Sequence, residues 1–548
     1  MQSSVLTAIL CCKNPKPISP TEILSSSTPL SSLLSSSFKF LLFSVSLLAT
    51  AILCNAQALS LCFVVAVNFS LDLSFMEDGN RLQVVMFPWL ATGHLIPFLR
   101  LSKLLAEKGH KIYFVSTPRN LNRLPKIPKR LSSEIVLVSF PFPHVPNLPS
   151  NAESSTDVPY TKQQLLKKGF DLLEPPLTTF LESSKPDWIF YDYASHWLPS
   201  VAARLGISCA FFSLFTAACL SNIGPPSTLM NNGDPRSKAE DFTVVPKWIP
   251  FESDLVYRLH EVAKYVEKTE EDETGPSDSI RFGFAAGRSD VVIIRSSPEF
   301  EPEWFNLLRD QLYKKPIIPV GFLPPIVEHN EEDDDIDGHK RGNIKEWLDK
   351  QKANSVVYVA LGTEASLSGE ELKELALGLE NSTLPFFWVL NKMPGSTKNA
   401  LDMLPDGFQE RVKNRGIVHG GWAPQVKILS HDSVGGFMTH CGWNSIIEGL
   451  TFGRVLILLP ILNDQGLNSR LLHGKKLGLE IPRKEQDGSF TWASVAESMR
   501  TAMVDDSGVS WRNRAREIRC LFGDVDRNNC FVARLINYLT ENKKARVP

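Results

Sequence analysis

The segment from Trp422 to Gln465 concentrates aromatic, amide, carboxylate, histidine and glycine residues of the kinds that bind a phosphorylated heterocycle. Its candidate binding residues are Trp422, Ala423, Gln425, His440, Gly442, Trp443, Asn444, Ser445, Glu448, Asp464 and Gln465. Each of them alone would more often be structural, as a core tryptophan or a turn glycine is. Their combination within one short stretch instead favours a single binding site.

The first part of this segment has the groups needed to hold a nucleoside. The indole of Trp422 can stack on a heterocyclic base, while Gln425 or the Ala423 backbone hydrogen-bonds the edge of the base. The carboxylate of Glu448 can accept hydrogen bonds from both hydroxyls of a ribose.

The middle of the segment is suited to a diphosphate. Residues 442–445 open a predicted helix, whose unpaired N–H groups and dipole attract anions. His440, Asn444 and Ser445 add side-chain donors, and Thr363 can approach from the turn after another strand. These donors can stabilise a departing nucleoside diphosphate, so we expect neither a metal ion nor a further cofactor.

Two further pairs of residues have side chains suited to binding hydroxyl groups and to proton transfer. Asp464 and Gln465 can bind the hydroxyls of a hexose. His94 heads a predicted helix, and its imidazole suits removal of a proton from an acceptor hydroxyl near pH 7. Asp192, just after a later strand, can stabilise the resulting imidazolium. Asp187 precedes the same strand and is expected to cap it or to face solvent.

The chain from residue 82 alternates strands and helices in a way that predicts a parallel sheet. An amphipathic helix is predicted at residues 94–108 and ends at Gly109. Strands are predicted at residues 82–87, 111–115, 188–191 and 210–213. A strand–helix–strand unit of this kind implies parallel pairing.

The same alternation resumes after an acidic run at residues 331–335, which we interpret as part of a solvated linker. A helix is predicted from Ser368 through Leu379, because Ser368 and Glu371 form a capping box. Strands are predicted on either side of this helix, at residues 355–361 and 386–390. Ligands bind at the carboxyl ends of strands in such sheets, so the cleft between two doubly wound domains is the expected site.

The first 75 residues differ in composition from the rest. Residues 1–37 are rich in serine, proline and threonine, and residues 38–67 are apolar over a length that suffices to cross a bilayer. The triplet at residues 56–58 resembles a signal-peptidase site. A membrane anchor, a cleaved leader and a stretch outside the working protein remain open, and the third is favoured because Met76 offers a new start before the first strand.

The overall composition excludes some classes of protein. The 58 basic and 60 acidic residues give a formal net charge of -2, which indicates no nucleic-acid partner. The nine cysteines are odd in number and scattered, which fits a reducing compartment. We therefore expect a cytoplasmic monomer. The alternative is association with the endoplasmic-reticulum membrane, with membrane contact only if residues 38–67 are retained.

The segment 422–465 closely resembles the signature box of the plant family-1 UDP-glycosyltransferases. Its length and nearly all its marker residues agree, above all in the runs 422–425 and 440–445. The resemblance extends over residues 80–540. It implies an α/β protein of the GT-B fold, with two Rossmann-like doubly wound domains facing across a cleft, and a single inverting displacement.

The resemblance also implies a division of the chain and a set of partners. The expected parts are a leader at 1–75, an N-terminal acceptor-binding domain at 76–325, an acidic linker at 326–342, a C-terminal UDP-sugar-binding domain at 343–525, and a helix at 526–548 that packs back on the N-terminal domain. In this family the residues matching His94 and Asp192 are the base and its partner. The implied partners are a UDP-sugar co-substrate and a small lipophilic or glycosylated acceptor.

The body is most similar to a subgroup that adds a second sugar to glycosylated flavonoids or terpenoids. The stretches 87–91, 116–120 and 298–304 carry this likeness. The ending Asp464-Gln465 favours UDP-glucose as the donor. The subgroup makes UDP-rhamnose the alternative.

Three positions depart from the family pattern. Val455 stands where proline is usual, Thr363 replaces a commoner serine, and Arg100 replaces a common acidic residue in the first helix. The loop before Val455 is therefore expected to be less rigid. A non-catalytic binder of nucleotide sugars or lipophilic metabolites is the alternative from another class, and the presence of both His94 and Asp192 argues against it.

Overall fold

The computed structural model describes residues 81–231, 233–266, 275–327, 338–364, 367–391 and 400–545. The predictions for residues 1–75 and for the acidic run at 331–335 lie outside these ranges. The chain divides into two compact units, Met1–Leu82 and Gln83–Pro548, and all contacts below lie within the second.

The N-terminal half of this unit is built on a seven-stranded parallel sheet with the order β3-β2-β1-β4-β5-β6-β7. Its strands are β1 Gln83–Phe87, β2 Lys111–Ser116, β3 Ile135–Ser139, β4 Trp188–Tyr191, β5 Ser208–Ser213, β6 Val291–Ile294 and β7 Ile317–Pro319. The chain reverses its direction of winding between β1 and β4, which pair directly from Val84↔Trp188 to Phe87↔Tyr191. This pair of strands is the switch point at which such sheets bind ligands.

The C-terminal half repeats the plan with six parallel strands in the order β10-β9-β8-β11-β12-β13. Its strands are β8 Val356–Ala360, β9 Phe386–Leu390, β10 Gly416–Gly420, β11 Val434–Thr439, β12 Val455–Leu458 and β13 Gly478–Glu480. All five residues of β8 are buried, as expected of a strand covered by helices on both faces. Here the switch point lies between β8 and β11.

Helices cover both sheets. In the N-terminal half they are α1 Thr92–Glu107, α2 Pro118–Asn122, α3 Gln163–Asp171, α4 Glu174–Ser184, α5 Leu198–Leu205, α6 Ala217–Ile223, α7 Pro226–Met230, α8 Leu259–Val266, α9 Asp278–Gly287 and α10 Pro302–Leu307. In the C-terminal half they are α11 Gly338–Asp349, α12 Gly369–Ser382, α13 Phe408–Val412, α14 Gln425–Ser430, α15 Trp443–Thr451, α16 Gln465–Gly474, α17 Trp492–Met503, α18 Val509–Phe522 and α19 Val525–Asn542. None of the described helices is both long and apolar enough to span a membrane.

Two doubly wound parallel sheets confirm the α/β GT-B fold expected from the sequence. The predicted capping box of α12 is present, with Glu371 N donating to Ser368 Oγ and Ser368 N donating to the Glu371 carboxylate. The helix continues to Ser382, three residues beyond the predicted Leu379.

Helix α1 contains a proline that shapes the contact between the two halves. Pro97 lacks the N–H group that would donate to the carbonyl four residues earlier, at Gly93. The Gly93 carbonyl instead accepts a hydrogen bond of 2.8 Å from Asn444 Nδ2, in the first turn of α15. The starts of α1 and α15, one beside each sheet, therefore touch.

The last helix, α19, contacts the N-terminal sheet. Trp188 Nε1, at the start of β4, donates to the Leu539 carbonyl over 2.9 Å. The Leu323 N–H, beyond β7, donates to Asn528 Oδ1 over 3.0 Å. These bonds hold α19 against the N-terminal sheet and the loop that follows it.

Candidate active site

The first switch point brings together the histidine and aspartate singled out in the sequence. His94 lies in the first turn of α1, after β1, and Asp192 follows β4 directly. Nδ1 of His94 and Oδ2 of Asp192 are 2.8 Å apart. The buried Asp192 carboxylate also accepts hydrogen bonds from Trp89 N at 2.8 Å and from Ala194 N at 3.3 Å. Three donors thus hold Asp192 in one orientation.

This arrangement sets the chemistry of His94. Because Nδ1 faces Asp192, Nε2 is the ring nitrogen left for a substrate. Burial lowers the pKa of His94, but the charge and hydrogen bond of Asp192 outweigh it, and Glu364 and Asp464 add to the rise. The net result is a pKa above the ordinary value for histidine. The side chain is 19% exposed, so a ligand can reach it.

Of the two roles expected for Asp187 from the sequence, capping and facing solvent, the structure shows a cap, on the neighbouring strand β1. Asp187 is only 6% exposed, and its Oδ2 accepts a hydrogen bond of 2.8 Å from Gln83 N at the start of β1. It therefore lies at the amino end of the strand pair, whereas Asp192 lies at the carboxyl end. Asp187 is therefore separated from His94 by the length of the strands.

The second switch point carries His440 and the start of α15. An added Cβ at Gly362 or at Gly442 would come within 2.7 Å or 2.5 Å of His440 Nε2, so both glycines give the ring its space. Nδ1 of His440 is buried and has no hydrogen-bond partner within the described part of the chain. Burial lowers the pKa of His440 to about 4, so the ring is neutral at pH 7. A neutral ring with an unpaired Nδ1 can donate to an anionic oxygen.

The start of α15 offers backbone donors in the same place. Gly442 is its N-cap residue, and no side chain caps the helix. Ser445 lies in the first turn and is nearly buried, and Thr363 is exposed just after β8. The diphosphate site stays a prediction, with these groups as its expected donors.

Two predicted ligands of the diphosphate direct their side chains elsewhere. Asn444 donates to Gly93 O and accepts from Arg295, so its amide links the two halves of the unit. Trp443 donates from Nε1 to the Arg295 carbonyl over 2.8 Å, and its ring packs against Phe300. For both residues, the backbone N–H is the group that can serve an anion at the helix start.

The predicted nucleoside residues lie at the far side of α15. Trp422 is 69% exposed, which suits a plate on which a base stacks, and Ala423 next to it is buried. Gln425 donates from Nε2 to Glu448 Oε2 over 2.8 Å and accepts from Tyr358 Oη over 3.3 Å. Gln425 therefore holds Glu448 in place.

Asp464 and Gln465 stand at the start of α16. Oε1 of Gln465 accepts hydrogen bonds from the N–H groups of Ile461 and Leu462 at 2.9 and 2.8 Å, so this oxygen fixes the preceding loop. Burial raises the pKa of Asp464 to about 6, although a hydrogen bond from Asn468 and the charge of His94 oppose the rise. The charge of His94 is therefore one of the influences on the Asp464 carboxyl group.

Three polar residues of this region were not assigned a role from the sequence. Arg100, on α1, donates from Nη2 to Glu448 Oε1 over 2.7 Å. Arg295, fully buried after β6, donates to Asn444. Glu364, next to Thr363, accepts from Ser155 Oγ over 2.5 Å. In the sequence, only the departure of Arg100 from the family pattern indicated that one of these three residues is unusual.

The described residues contain no cluster of three or more histidine, cysteine, aspartate or glutamate side chains able to hold a metal ion. The two sheets, with their switch points joined through α1 and α15, define the GT-B class of glycosyltransferases.

Comparisons with known proteins agree with this class. Residues 314–505 match the family described as UDP-glucoronosyl and UDP-glucosyl transferase. The chain is 61% identical over 458 residues to UDP-glycosyltransferase 91C1 of Arabidopsis thaliana, covering 84% of this chain and 96% of that protein. It is 39% identical to soyasaponin III rhamnosyltransferase of Glycine max, covering 87% of this chain and 99% of that protein.

Solved structures share the fold. Arabidopsis thaliana UGT89C1 complexed with UDP-L-rhamnose aligns with a TM-score of 0.65 at 24% identity, covering 84% of this chain and 99% of that one. Phytolacca americana UGT2 complexed with UDP-2fluoro-glucose and pterostilbene aligns with a TM-score of 0.63 at 24% identity and the same coverage. The chain belongs to the plant family-1 UDP-glycosyltransferases and is a glycosyltransferase enzyme.

Proposed function

We propose that this enzyme transfers a hexose from a UDP-sugar to a hydroxyl group of a small plant metabolite, such as a flavonoid, a terpenoid or one of their glycosides. The observation that carries the proposal is the 2.8 Å bond between His94 Nδ1 and Asp192 Oδ2, which leaves Nε2 for an acceptor. Its position opposite the start of α15 supports a reaction between an acceptor on one side and a nucleotide sugar on the other.

In the proposed reaction, Nε2 of His94 takes the proton of the acceptor hydroxyl while the hydroxyl oxygen attacks the anomeric carbon. The bond from that carbon to the diphosphate breaks, and UDP leaves with the electron pair. Asp192 stabilises the imidazolium that forms. Attack opposite the leaving group inverts the anomeric centre. A general base typically contributes about 10²–10⁴-fold to such a rate, and positioning of the two substrates contributes much of the rest.

The leaving diphosphate gains negative charge at the start of α15. The unpaired N–H groups and the dipole of this helix stabilise that charge. The neutral ring of His440, whose Nδ1 has no partner among the described residues, is a further group that can hydrogen-bond the diphosphate through a ring N–H. The exposed hydroxyl of Thr363 is available from the turn after β8.

Glucose is the preferred sugar in this proposal, and rhamnose is the second candidate. Asp464, at the start of α16, can accept hydrogen bonds from hexose hydroxyls. Because its pKa is raised only to about 6, it is mainly a carboxylate at pH 7. The soyasaponin rhamnosyltransferase relative favours rhamnose.

The test is a donor screen with purified protein. UDP-glucose and UDP-rhamnose are each incubated with a panel of flavonoids and their glucosides, and products are identified by mass. We expect glucosylated product with the wild type and about 10²–10⁴-fold slower formation of it with His94→Ala. Product from UDP-rhamnose alone would establish the second donor. Binding of UDP without product from either donor would indicate the non-catalytic binder instead.

A further inference from the structure

Helices α1 and α15 touch at two points along their length. Gly93 meets Asn444 near the two helix starts, and Arg100 meets Glu448 farther along. Residues 93 and 100 are seven apart and residues 444 and 448 are four apart, so each pair shares one helix face. The second contact therefore lies beside the proposed nucleoside site rather than the diphosphate site.

The contact fixes one oxygen of Glu448. Nη2 of Arg100 lies 2.7 Å from Oε1, and the two side chains are only 20% and 10% exposed. Gln425 Nε2 donates to the other oxygen, Oε2, over 2.8 Å. A carboxylate offers about four lone pairs. After these two bonds, each oxygen of Glu448 still has capacity to accept a hydroxyl group.

Arg100 is poorly suited to a purely structural role. Within the described part of the chain its hydrogen bond goes to Glu448, while its Nη1 is buried and has no partner. A buried donor without a partner costs stability, and a largely buried ion pair adds little once its desolvation is counted. The bond from Arg100 to Glu448 therefore offsets little more than the desolvation cost of the arginine.

We propose that Arg100 is a positioning residue for the nucleoside of the donor: acting across the cleft through Glu448, it orients the carboxylate so that its free lone pairs meet the ribose hydroxyls. Recognition of the ribose then depends on the N-terminal half as well as on the signature segment. The inference rests on the proposed role of Glu448, and the test separates the two.

The test measures how well the enzyme distinguishes UDP from 2′-deoxy-UDP. Both dissociation constants are determined by calorimetry for the wild type, Arg100→Met, Arg100→Lys, Glu448→Gln and the double variant Arg100→Met/Glu448→Gln. A hydrogen bond to a charged group corresponds to roughly tenfold or more in affinity. We expect the wild type to prefer UDP by about that factor. In Arg100→Met the preference should fall to near unity through weaker binding of UDP, and Arg100→Lys should restore part of it.

The double variant should bind UDP no more weakly than Glu448→Gln, because residues that act as one unit are not additive. Arg470→Met is the matched control, since Arg470 forms a similarly buried ion pair with Glu261 across the same two halves. It should keep the preference for UDP.

An unchanged preference in Arg100→Met, additive losses in the double variant, or tighter UDP binding without the arginine would each overturn the inference. If Glu448→Gln also keeps the full preference, the ribose role of Glu448 itself is wrong. If Arg100→Met does not fold, Arg100→Lys replaces it in the test. The proposal is then refuted if Arg100→Lys keeps the full wild-type preference for UDP and if its loss of UDP affinity adds to that of Glu448→Gln in the variant Arg100→Lys/Glu448→Gln.

Discussion

Replacing Asp192 by asparagine should slow transfer and move its pH dependence toward acid. The carboxylate accepts from His94 Nδ1 at 2.8 Å and from the Trp89 and Ala194 N–H groups at 2.8 and 3.3 Å. Asparagine keeps the shape but has one acceptor oxygen and no charge. Loss of one hydrogen bond between charged groups costs about 1.5–3 kcal/mol, which corresponds to a rate lower by roughly 10- to 100-fold.

The pH shift follows from the pKa of His94. The neutral imidazole is the active base, so kcat/KM falls as the pH drops through this pKa. Although burial lowers it, the net pKa is raised because of Asp192. Without that charge the pKa falls, and His94 stays neutral to lower pH. The acid limb of the profile should therefore lie at lower pH in Asp192→Asn than in the wild type.

The assay is kcat/KM against pH with one acceptor and one donor, with UDP release as the signal. Asp464, whose pKa is raised to about 6, titrates in both enzymes, so the difference between their profiles is the diagnostic quantity. Asp187→Asn is the matched control, because Asp187 lies at the opposite end of β4. An acid limb that stays in place or moves to higher pH in Asp192→Asn would refute the reasoning.

Other variants test the remaining assignments. His94→Ala should lower transfer by about 10²–10⁴-fold while UDP affinity, measured by calorimetry, stays nearly unchanged; retention of more than half the wild-type rate would remove the general base from the account. Gln465→Ala should reduce transfer more than UDP binding, since UDP has no hexose, and equal losses would contradict a contact with the sugar. A chain starting at Met76 should be more soluble and as active per molecule as the full chain, because β1 begins only at Gln83; failure to fold or loss of transfer would make residues 1–75 part of the enzyme.

Local signals predicted much of the fold. The capping box at Ser368 and Glu371 predicted the start of α12. The apolar runs predicted β1, β2, β4 and β5 of the first sheet and β8 and β9 of the second. The positions of His94 and Asp192 directly after predicted strands indicated that both lie at carboxyl ends of the sheet, and the structure shows that their strands, β1 and β4, are neighbours. Features that depend on residues close together in the sequence can therefore be predicted from the sequence alone.

Contacts between distant residues were not readable in the same way. Pro97 implied that the Gly93 carbonyl lacks its helical donor, but the partner, Asn444, lies 351 residues away. Asp187 was expected to cap or to face solvent because nothing local indicates that Gln83 N would pair with it. The same limit left Arg100 as an unexplained departure, since its partner depends on how the two halves meet.

The anomeric configuration of the product tests the central claim most directly. Purified enzyme is supplied with UDP-glucose, in which the sugar is an α-anomer, and an acceptor from the screen, and the product is examined by proton NMR during the first turnovers. A single displacement with His94 as base predicts a β-glucoside formed in equal amount to the UDP released. An α-glucoside, or UDP released without glucoside, would contradict the account.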